Sequence, residues 1–360
     1  MEYLEVKDKK LKMPIFFPDA TVAKIKGVNS DDLRNCKIEG VVVNIYHLMK
    51  EDLIKKIIES GGIHKFMDYN GVIISDSGGF QIMSIIRDNP ELGYIEDRHA
   101  IFKIDNKNII LTPEKCIQMQ LAIGSDVVMC LDDCTYPDMS FEEQNKSVER
   151  TIRWAKRCKE EFTRQTKNWT NDQKPLLFGI IQGGNDLNLR KKCADELKEI
   201  GFDGYAFGGW PVDKEGNFLY NLLNFTCQLM PESKPKYAMG IGKPENIVAC
   251  VKMGYNMFDC VIPTREARNN RLYAFRSTLF GMKLKKLNDK NDFYDYVRIR
   301  NSEYSNDKKP ISKNCDCYSC QNYSREQLYN LFKAKDFLAI RLATIHNLRF
   351  YSRLMERIKK

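Results

Sequence analysis

The sequence predicts an α/β protein with a (β/α)8 TIM-type barrel and a C-terminal zinc-binding subdomain. Eight short apolar, β-branched runs alternate with longer stretches of helical pattern, and near-continuous apolar runs are typical of strands buried on both faces of a parallel sheet. The predicted strands are Pro14–Phe17, Gly40–Asn44, Val72–Ser75, Asp126–Leu131, Leu177–Ile181, Tyr205–Gly208, Tyr237–Ile241 and Met257–Ile262. This alternation favours a closed barrel, with a doubly wound open sheet as the alternative.

Three of the segments between these strands are predicted to be helical. Thr112-Pro113-Glu114 has the pattern of a helix start, so a helix is expected to begin there and to continue through Cys116–Ala122. Phe141–Arg164 has acidic residues in its first turn and basic residues later, which suits the helix dipole. Leu187–Ile200 is the third predicted helix.

The pattern changes after about Ala274. Lys283–Lys313 is charged and rich in turn residues, which predicts a loop-like segment. One long helical stretch is expected from about Ser324 to the end of the chain. We therefore expect residues 1–282 to form the barrel with the catalytic site, and residues 283–360 to form the metal-bearing subdomain with a closing helix.

Composition narrows the cellular setting and the partners. The 360-residue chain has no apolar run of about 18 residues and begins with a charged segment, so neither a membrane helix nor a signal peptide is expected. Its 12 cysteines then favour a reducing cytoplasm over a disulfide framework. The formal net charge of +9 permits nucleic-acid binding, although a solvated lysine-rich surface explains it at least as well.

A metal site is predicted near the C-terminus. Cys315, Cys317 and Cys320 are closely spaced, and His346 follows in a helical stretch. Three thiolates and an imidazole suit tetrahedral zinc, and four protein ligands leave no position for water, so the metal should be structural. An iron–sulfur cluster would more usually take a fourth cysteine, and a redox dithiol needs only two thiols.

Polar side chains follow the predicted strands at their carboxyl ends, where a barrel carries its active site. These side chains are Asp76, Asp132 and Gln182, with Asp259 in the last predicted strand, and the glycine pair Gly208-Gly209 accompanies them. Paired carboxylates suit chemistry at an anomeric carbon, because one can attack the sugar while the other transfers protons. The alternative for any single aspartate is a helix N-cap at the turn that follows the strand.

The chain resembles the tRNA-guanine transglycosylase family, also called queuine tRNA-ribosyltransferases. The motifs NIYHL, SDSGGFQ, LDDC, FGIIQGG, GYAFGG, MGIGKPE, MFDCVIPTREARN, CDCYSC and HNL occur in the family's order from about Pro14 onward. The resemblance implies a (β/α)8 barrel with a zinc subdomain. It also implies the exchange of guanine in tRNA, at the anticodon wobble position, for a 7-deazaguanine (queuine or its precursor), with no organic cofactor.

The resemblance also assigns roles to individual residues. Asp259 would be the nucleophile that forms a covalent ribosyl-enzyme, and Asp76 would be the general acid and base. The base would be bound by Asp132, Gln182, Gly209, Phe80 and Cys134. The nucleic acid would be contacted by Arg265 and Arg268. The Zn²⁺ ion would be bound by Cys315, Cys317, Cys320 and His346. The resemblance also implies that the protein forms a homodimer, as members of the family commonly do.

Two segments depart from the family pattern. Trp210–Lys214 replaces a leucine-containing loop that ends in glutamate in bacterial members. An ungapped match puts Lys214 at the place of that glutamate, beside the 7-substituent of the base, while a one-residue shift would put Glu215 there, so the identity of the incoming base is left open. Asp19-Ala20 stands where the family more usually has Val-Gly. Three alternatives therefore remain: a relative that modifies DNA, a subunit of a heterodimeric transglycosylase, and an unrelated zinc-stabilised barrel with a small substrate. The presence of both Asp76 and Asp259 argues against a non-catalytic subunit.

Overall fold

A computed structural model describes residues 2–105, 107–276 and 293–359. The strands are β1 Tyr3–Val6, β2 Lys9–Lys12, β3 Ile15–Pro18, β4 Gly40–Asn44, β5 Val72–Asp76, β6 Gly93–Ile95, β7 Ala100–Ile104, β8 Lys107–Leu111, β9 Val127–Met129, β10 Leu176–Ile181, β11 Gly204–Phe207, β12 Lys236–Ala238, β13 Met257–Cys260, β14 Arg271–Phe275 and β15 Tyr294–Arg298. The helices are α1 Ser30–Asn35, α2 Ile45–Lys50, α3 Leu53–Glu59, α4 Ile63–Met67, α5 Gly79–Asp88, α6 Pro113–Ile123, α7 Phe141–Gln165, α8 Leu187–Ile200, α9 Tyr220–Leu229, α10 Pro244–Met253, α11 Ile262–Arg268, α12 Tyr318–Asn322, α13 Arg325–Lys333 and α14 Phe337–Ile358. Within this part of the chain, no helix combines the length and the apolar character needed to cross a membrane.

The eight predicted strands form one parallel sheet in the order β3-β13-β12-β11-β10-β9-β5-β4. Its two edges meet, because the Ala20 N–H donates to the Val42 carbonyl at 2.7 Å and the Asn44 N–H donates to the Thr21 carbonyl at 3.2 Å. The barrel prediction is therefore confirmed. Several strands end earlier than predicted, and the largest differences are at β9, which ends at Met129, and at β12, which ends at Ala238. Ile262 does not extend β13 but begins α11.

The predicted helices are confirmed as α6, α7 and α8. The Thr112 hydroxyl accepts from the Lys115 N–H at 3.2 Å, which caps α6 as its sequence predicts. Beneath the barrel, Leu4 and Val6 of the β1–β2 hairpin join the apolar interior. The hairpin thereby closes the end of the barrel at which the strands begin.

The C-terminal part differs from its sequence prediction in two ways. The expected single helix is two helices, α13 and α14, because Lys335 adopts a φ of +56° and Asp336 caps a new helix. The expected loop contains β15, which pairs antiparallel with β14, and β14 begins before the predicted domain boundary. That boundary, between residues 282 and 283, lies outside the described residues.

Helix α14 packs against the barrel and contacts its carboxyl-terminal loops. The Tyr351 hydroxyl donates to the Gly242 carbonyl at 2.6 Å. The Asn347 amide donates to the carbonyls of Pro263 and Arg271, each at 3.0 Å, and accepts from the Tyr273 N–H at 3.1 Å. One buried asparagine thus holds both ends of the segment that contains α11.

Candidate active site and metal centre

The carboxyl-terminal rim of the barrel brings the predicted polar residues together. Asp76 ends β5, Asp259 lies in β13, and Asp132, Gln182 and Gly209 follow β9, β10 and β11. The Gln182 amide donates to the Asp132 carboxylate at 2.6 Å. The charges of Asp76 and Asp132 interact, as do those of Asp259 and Asp76. The site is therefore one cluster.

Asp76 is half-buried and is positioned by Asn44. The Asn44 amide donates to the Asp76 carboxylate at 2.5 Å and to the Gln81 side chain at 2.9 Å. Desolvation, followed by the nearby charge of Asp132, raises the pKa of Asp76 to about 7, although hydrogen bonds from Asn44 and Gly78 oppose this. Sequence reasoning did not single out Asn44. The β4–β5 register, which places Asn44 directly opposite Asp76, shows its role.

Asp259 is also half-buried, and its carboxylate accepts from the Gly240 N–H at 2.8 Å. The buried Tyr237 hydroxyl is a second donor. Desolvation raises the pKa of Asp259 to about 7 against these two hydrogen bonds, and the charges of Asp19 and Asp76 raise it further. The sequence did not indicate a role for Tyr237, because a tyrosine in an apolar run is typical of a residue packed in the hydrophobic core. Each carboxyl can therefore exchange a proton near neutral pH.

The base-pocket candidates Asp132, Gln182 and Cys134 are all buried beside this pair. Desolvation is the main cause that raises the pKa of Asp132 to about 6. The Gln182 side-chain oxygen has no hydrogen-bond partner within the described part of the chain, so it is free to accept from a ligand. A Cβ at Gly79 would lie 2.6 Å from two Asp132 oxygens, so only glycine fits there.

Three aromatic side chains lie together beside this pocket. The ring of Trp210 lies 5.3 Å from that of Phe80 and 5.8 Å from that of Tyr136, measured between centroids. Trp210 and Gly209 line a cavity together with Gln182. Lys214 does not line it and instead forms an exposed 3.0 Å ion pair with Asp138. Tyr136 was not predicted, and its only signal was its position just after LDDC.

Arg190, another residue missed from the sequence, orders the glycine loops after β10 and β11. Its buried guanidinium donates to the carbonyls of Ile181 at 2.7 Å, Gly208 at 2.9 Å and Gly184 at 2.9 Å. Burial lowers the pKa of Arg190 to about 10. The interaction could not be read from the sequence, because a cation on α8 is ordinarily exposed.

Arg265 and Arg268 lie on α11, directly after the strand that carries Asp259. Arg265 is exposed and Arg268 is half-buried. Burial lowers the pKa of Arg268, while the charge of Asp19 opposes that effect. Two cations therefore stand beside the rim, where they can meet a polyanion.

The predicted metal ligands converge at one place. Ligand atoms of Cys315, Cys317, Cys320 and His346 all lie within 4.8 Å of one another. The Nδ1 atom of His346 is 3.6 Å from the Cys317 sulfur and 3.3 Å from the Cys320 sulfur, close to the ~3.6 Å expected between sulfur and nitrogen ligands of tetrahedral zinc. The His346 Nε2–H donates to the Tyr273 carbonyl at 2.7 Å. This second bond leaves Nδ1 free for a metal, so the residues fit one.

Fold and site together define a class of protein. A (β/α)8 barrel that gathers two titratable carboxylates and a buried Asp–Gln pair at its catalytic rim is a barrel enzyme equipped for chemistry at a sugar carbon.

Comparison with known proteins identifies the family within this class. Residues 2–360 match the family described as queuine tRNA-ribosyltransferase. A queuine tRNA-ribosyltransferase of Psychrobacter sp. (strain PRwf-1) is 40% identical over 351 residues, which cover 97% of this chain and 86% of that protein. A protein of the same name from Thermoanaerobacter sp. (strain X514) is 39% identical over 352 residues, covering 97% and 86%. The chain belongs to the queuine tRNA-ribosyltransferase family, and it is a pentosyltransferase.

Replacing Asp259 by Asn should stabilise the protein, and more so at alkaline pH. The folded chain raises the pKa of Asp259 from 3.8 to about 7. The folded state therefore holds this proton more tightly than the unfolded state, and wild type loses stability as the pH rises through that window. Because Asn cannot ionise, its advantage in urea unfolding should grow from near zero at about pH 4 to at most about 4 kcal/mol at about pH 8.

Asp126 is the matched control at the opposite end of the barrel. Desolvation acts to raise its pKa, but His64, Lys7 and Lys9 outweigh it and hold the pKa of Asp126 well below its ordinary value. Asp126→Asn should therefore lose stability at neutral and alkaline pH. A pH-independent difference between Asp259→Asn and wild type would contradict the raised pKa.

Proposed function

We propose that this chain exchanges guanine at the anticodon wobble position of tRNA for a 7-deazaguanine, queuine or its precursor, through a covalent ribosyl–Asp259 intermediate. The observation that carries the proposal is the pair Asp76 and Asp259 on one rim, each with its pKa raised to about 7. Two carboxyls of this kind can share one proton near neutral pH, so that one is a nucleophile while the other is an acid.

In the first half-reaction, the ionised Asp259 attacks C1′ of the ribose. The bond from C1′ to the guanine nitrogen breaks, and Asp76 supplies the proton that the leaving base takes up. In the second half-reaction, the incoming base loses its proton to Asp76, attacks C1′ and releases Asp259. One N-glycosidic bond replaces another, so the reaction needs no oxidant and no nucleotide cofactor.

The base would be held by hydrogen bonds and by stacking. The Asp132 carboxylate can accept from the amino and imino hydrogens of a guanine edge, and the unpartnered Gln182 oxygen is a further acceptor. The Gly209 backbone N–H would donate to the base, while Cys134 would line the pocket. Phe80 is exposed beside Trp210 and would stack on the ring.

The nucleic acid would be tRNA, as the names of the relatives say of those proteins. Arg265 and Arg268 would contact its backbone near the exchanged base. No feature of the described residues favours DNA, a non-catalytic subunit or an unrelated small substrate. The homodimer also stays a prediction.

Asp259→Asn should abolish exchange while the protein stays folded, because an amide cannot form the glycosyl ester. Incorporation of radiolabelled guanine into tRNA should fall by a factor on the order of 10³ or more. Wild type trapped with RNA should give an adduct that survives denaturant, and Asp259→Asn should give none. Asp138→Asn, on the exposed surface, is the control that should keep full activity. Exchange activity in the Asp259→Asn protein would contradict the assignment of Asp259 as the nucleophile.

We propose that the metal is one structural Zn²⁺ per chain. Cys317→Ala should lose the metal and destabilise the protein by roughly 3 kcal/mol or more, because metal binding contributes folding free energy. Elemental analysis and urea unfolding test both effects. Cys250→Ala is the control: it removes another buried thiol, outside the cluster, and should keep the metal. A Cys317→Ala protein with full metal content and unchanged stability would count against the site.

Trp210 should restrict which 7-deazaguanine enters, with weaker use of the aminomethyl base than the common bacterial enzyme shows. An indole occupies more space than leucine in the cavity beside Phe80 and Tyr136. Trp210→Leu should improve use of the aminomethyl base by roughly two- to tenfold, measured by competition of the three bases against labelled guanine. Lys214→Ala, at an exposed ion pair, should change little. A clear aminomethyl preference that Trp210→Leu leaves intact would contradict this role.

A further inference from the structure

Asp19 is a charged residue at the active rim that the proposed mechanism does not use. It follows β3, where Pro18 pairs in register with Cys260, the residue after Asp259. It also bridges Val42 of β4 at the seam where the barrel closes. The side chain is half-buried. Asp19 therefore stands one strand away from the proposed nucleophile, at the same end of the barrel.

One carboxylate oxygen of Asp19 accepts hydrogen bonds within the chain, and the other does not. Oδ1 accepts from the Thr21 N–H at 2.8 Å and from the Thr21 hydroxyl, which fixes the direction of the carboxylate. Oδ2 has no hydrogen bond or ion pair with any described residue. A turn of this kind needs only one acceptor, so asparagine or serine would serve it equally well. The second oxygen is left for another partner.

The charged and titratable groups around Asp19 do not explain its charge. Asp76 and Asp259 are both acidic and interact with it unfavourably. His47 and Arg268 lie within electrostatic range, but no cation of the described chain forms an ion pair with it. The charge of Asp19 therefore serves no contact within the described chain, although an uncharged residue would suit its turn equally well.

The sugar of the proposed substrate offers such a ligand group. Asp259 would attack C1′, and the 2′-hydroxyl is on the next carbon. The Gly240 N–H and the Tyr237 hydroxyl already donate to Asp259 itself. Asp19 adds an acceptor on the neighbouring strand. Carboxylates accept hydrogen bonds from ribose 2′-hydroxyls in other folds, and this hydroxyl is what distinguishes RNA from DNA.

We propose that Oδ2 of Asp19 accepts a hydrogen bond from the 2′-hydroxyl of the nucleotide that is exchanged, and so selects ribose over deoxyribose. The inference rests on the proposed function and adds a sugar-reading residue to it. Asp19 does no covalent chemistry in this role. It binds the sugar and orients C1′ towards Asp259.

The test compares two RNA hairpins that carry the same anticodon arm, one with ribose and one with a single 2′-deoxyribose at the exchanged guanosine. Single-turnover guanine exchange is measured for wild type and for Asp19→Asn, which keeps an acceptor for Thr21 but loses the free carboxylate oxygen. The ratio of ribose to deoxyribose rates should fall by roughly tenfold or more in Asp19→Asn, because a charge-assisted hydrogen bond is lost. The ratio of ratios cancels the intrinsic reactivity of the two sugars.

The outcomes separate this inference from the proposed function. Equal losses on both hairpins would mean that Asp19 only shapes its turn, and would overturn the inference. Asp19→Ser, which also keeps an acceptor for the turn, should reproduce the effect if Asp19→Asn folds poorly. If wild type exchanges neither hairpin, the proposed function fails. The role of Asp19 is then tested by the affinities of the two hairpins, measured by fluorescence polarisation. Tighter binding of the ribose hairpin by wild type but not by the Asp19 variant supports the inference. Equal binding of the two hairpins by wild type overturns it.

Discussion

The parallel sheet closes where β3 meets β4, and the approach of the two candidate catalytic carboxylates, Asp76 and Asp259, depends on that closure. In the order of the sheet, β13 and β5 each lie one strand from an edge, on opposite sides. An open sheet would hold Asp259 and Asp76 far apart. The hydrogen bonds from Ala20 to Val42 and from Asn44 to Thr21 bring the two edges together. Asn44, which donates one of these bonds through its backbone, also lies opposite Asp76 in the β4–β5 register.

The pKa values of carboxylates are shifted in opposite directions at the two ends of the barrel. At the end where the strands begin, Asp126 accepts from Lys9 at 2.7 Å and pairs with Lys7 at 2.9 Å, and its pKa is held low. At the other end, desolvation and like charges raise the pKa values of Asp76 and Asp259. The first arrangement favours a permanent charge that stabilises the fold. The second leaves carboxyls that gain and lose protons near neutral pH, as the proposed exchange requires.

Helix α14 connects the candidate metal centre to this rim. His346 faces the cysteine cluster through Nδ1 and the Tyr273 carbonyl through Nε2. The next residue, Asn347, holds the Pro263 carbonyl at the start of α11, the helix that carries Arg265 and Arg268. A structural metal at the cluster would therefore also fix the loop that follows the proposed nucleophile. The C-terminal part thus supports the site without contributing a reacting group.

The sequence by itself determined the eight strands, helices α6 to α8 and the four candidate metal ligands, because apolar period, capping residues and ligand spacing are local patterns. Family motifs further located Asp76 and Asp259. Only the tertiary structure decided the parts played by Asn44, Tyr237 and Arg190, and the break at Lys335 that divides the last helix. Asn44 matters through a strand register that joins positions 32 residues apart. Tyr237 and Arg190 act through burial and through partners on other strands and loops. Such interactions arise only when neighbouring strands pair and helices pack on them, so no local pattern could report them.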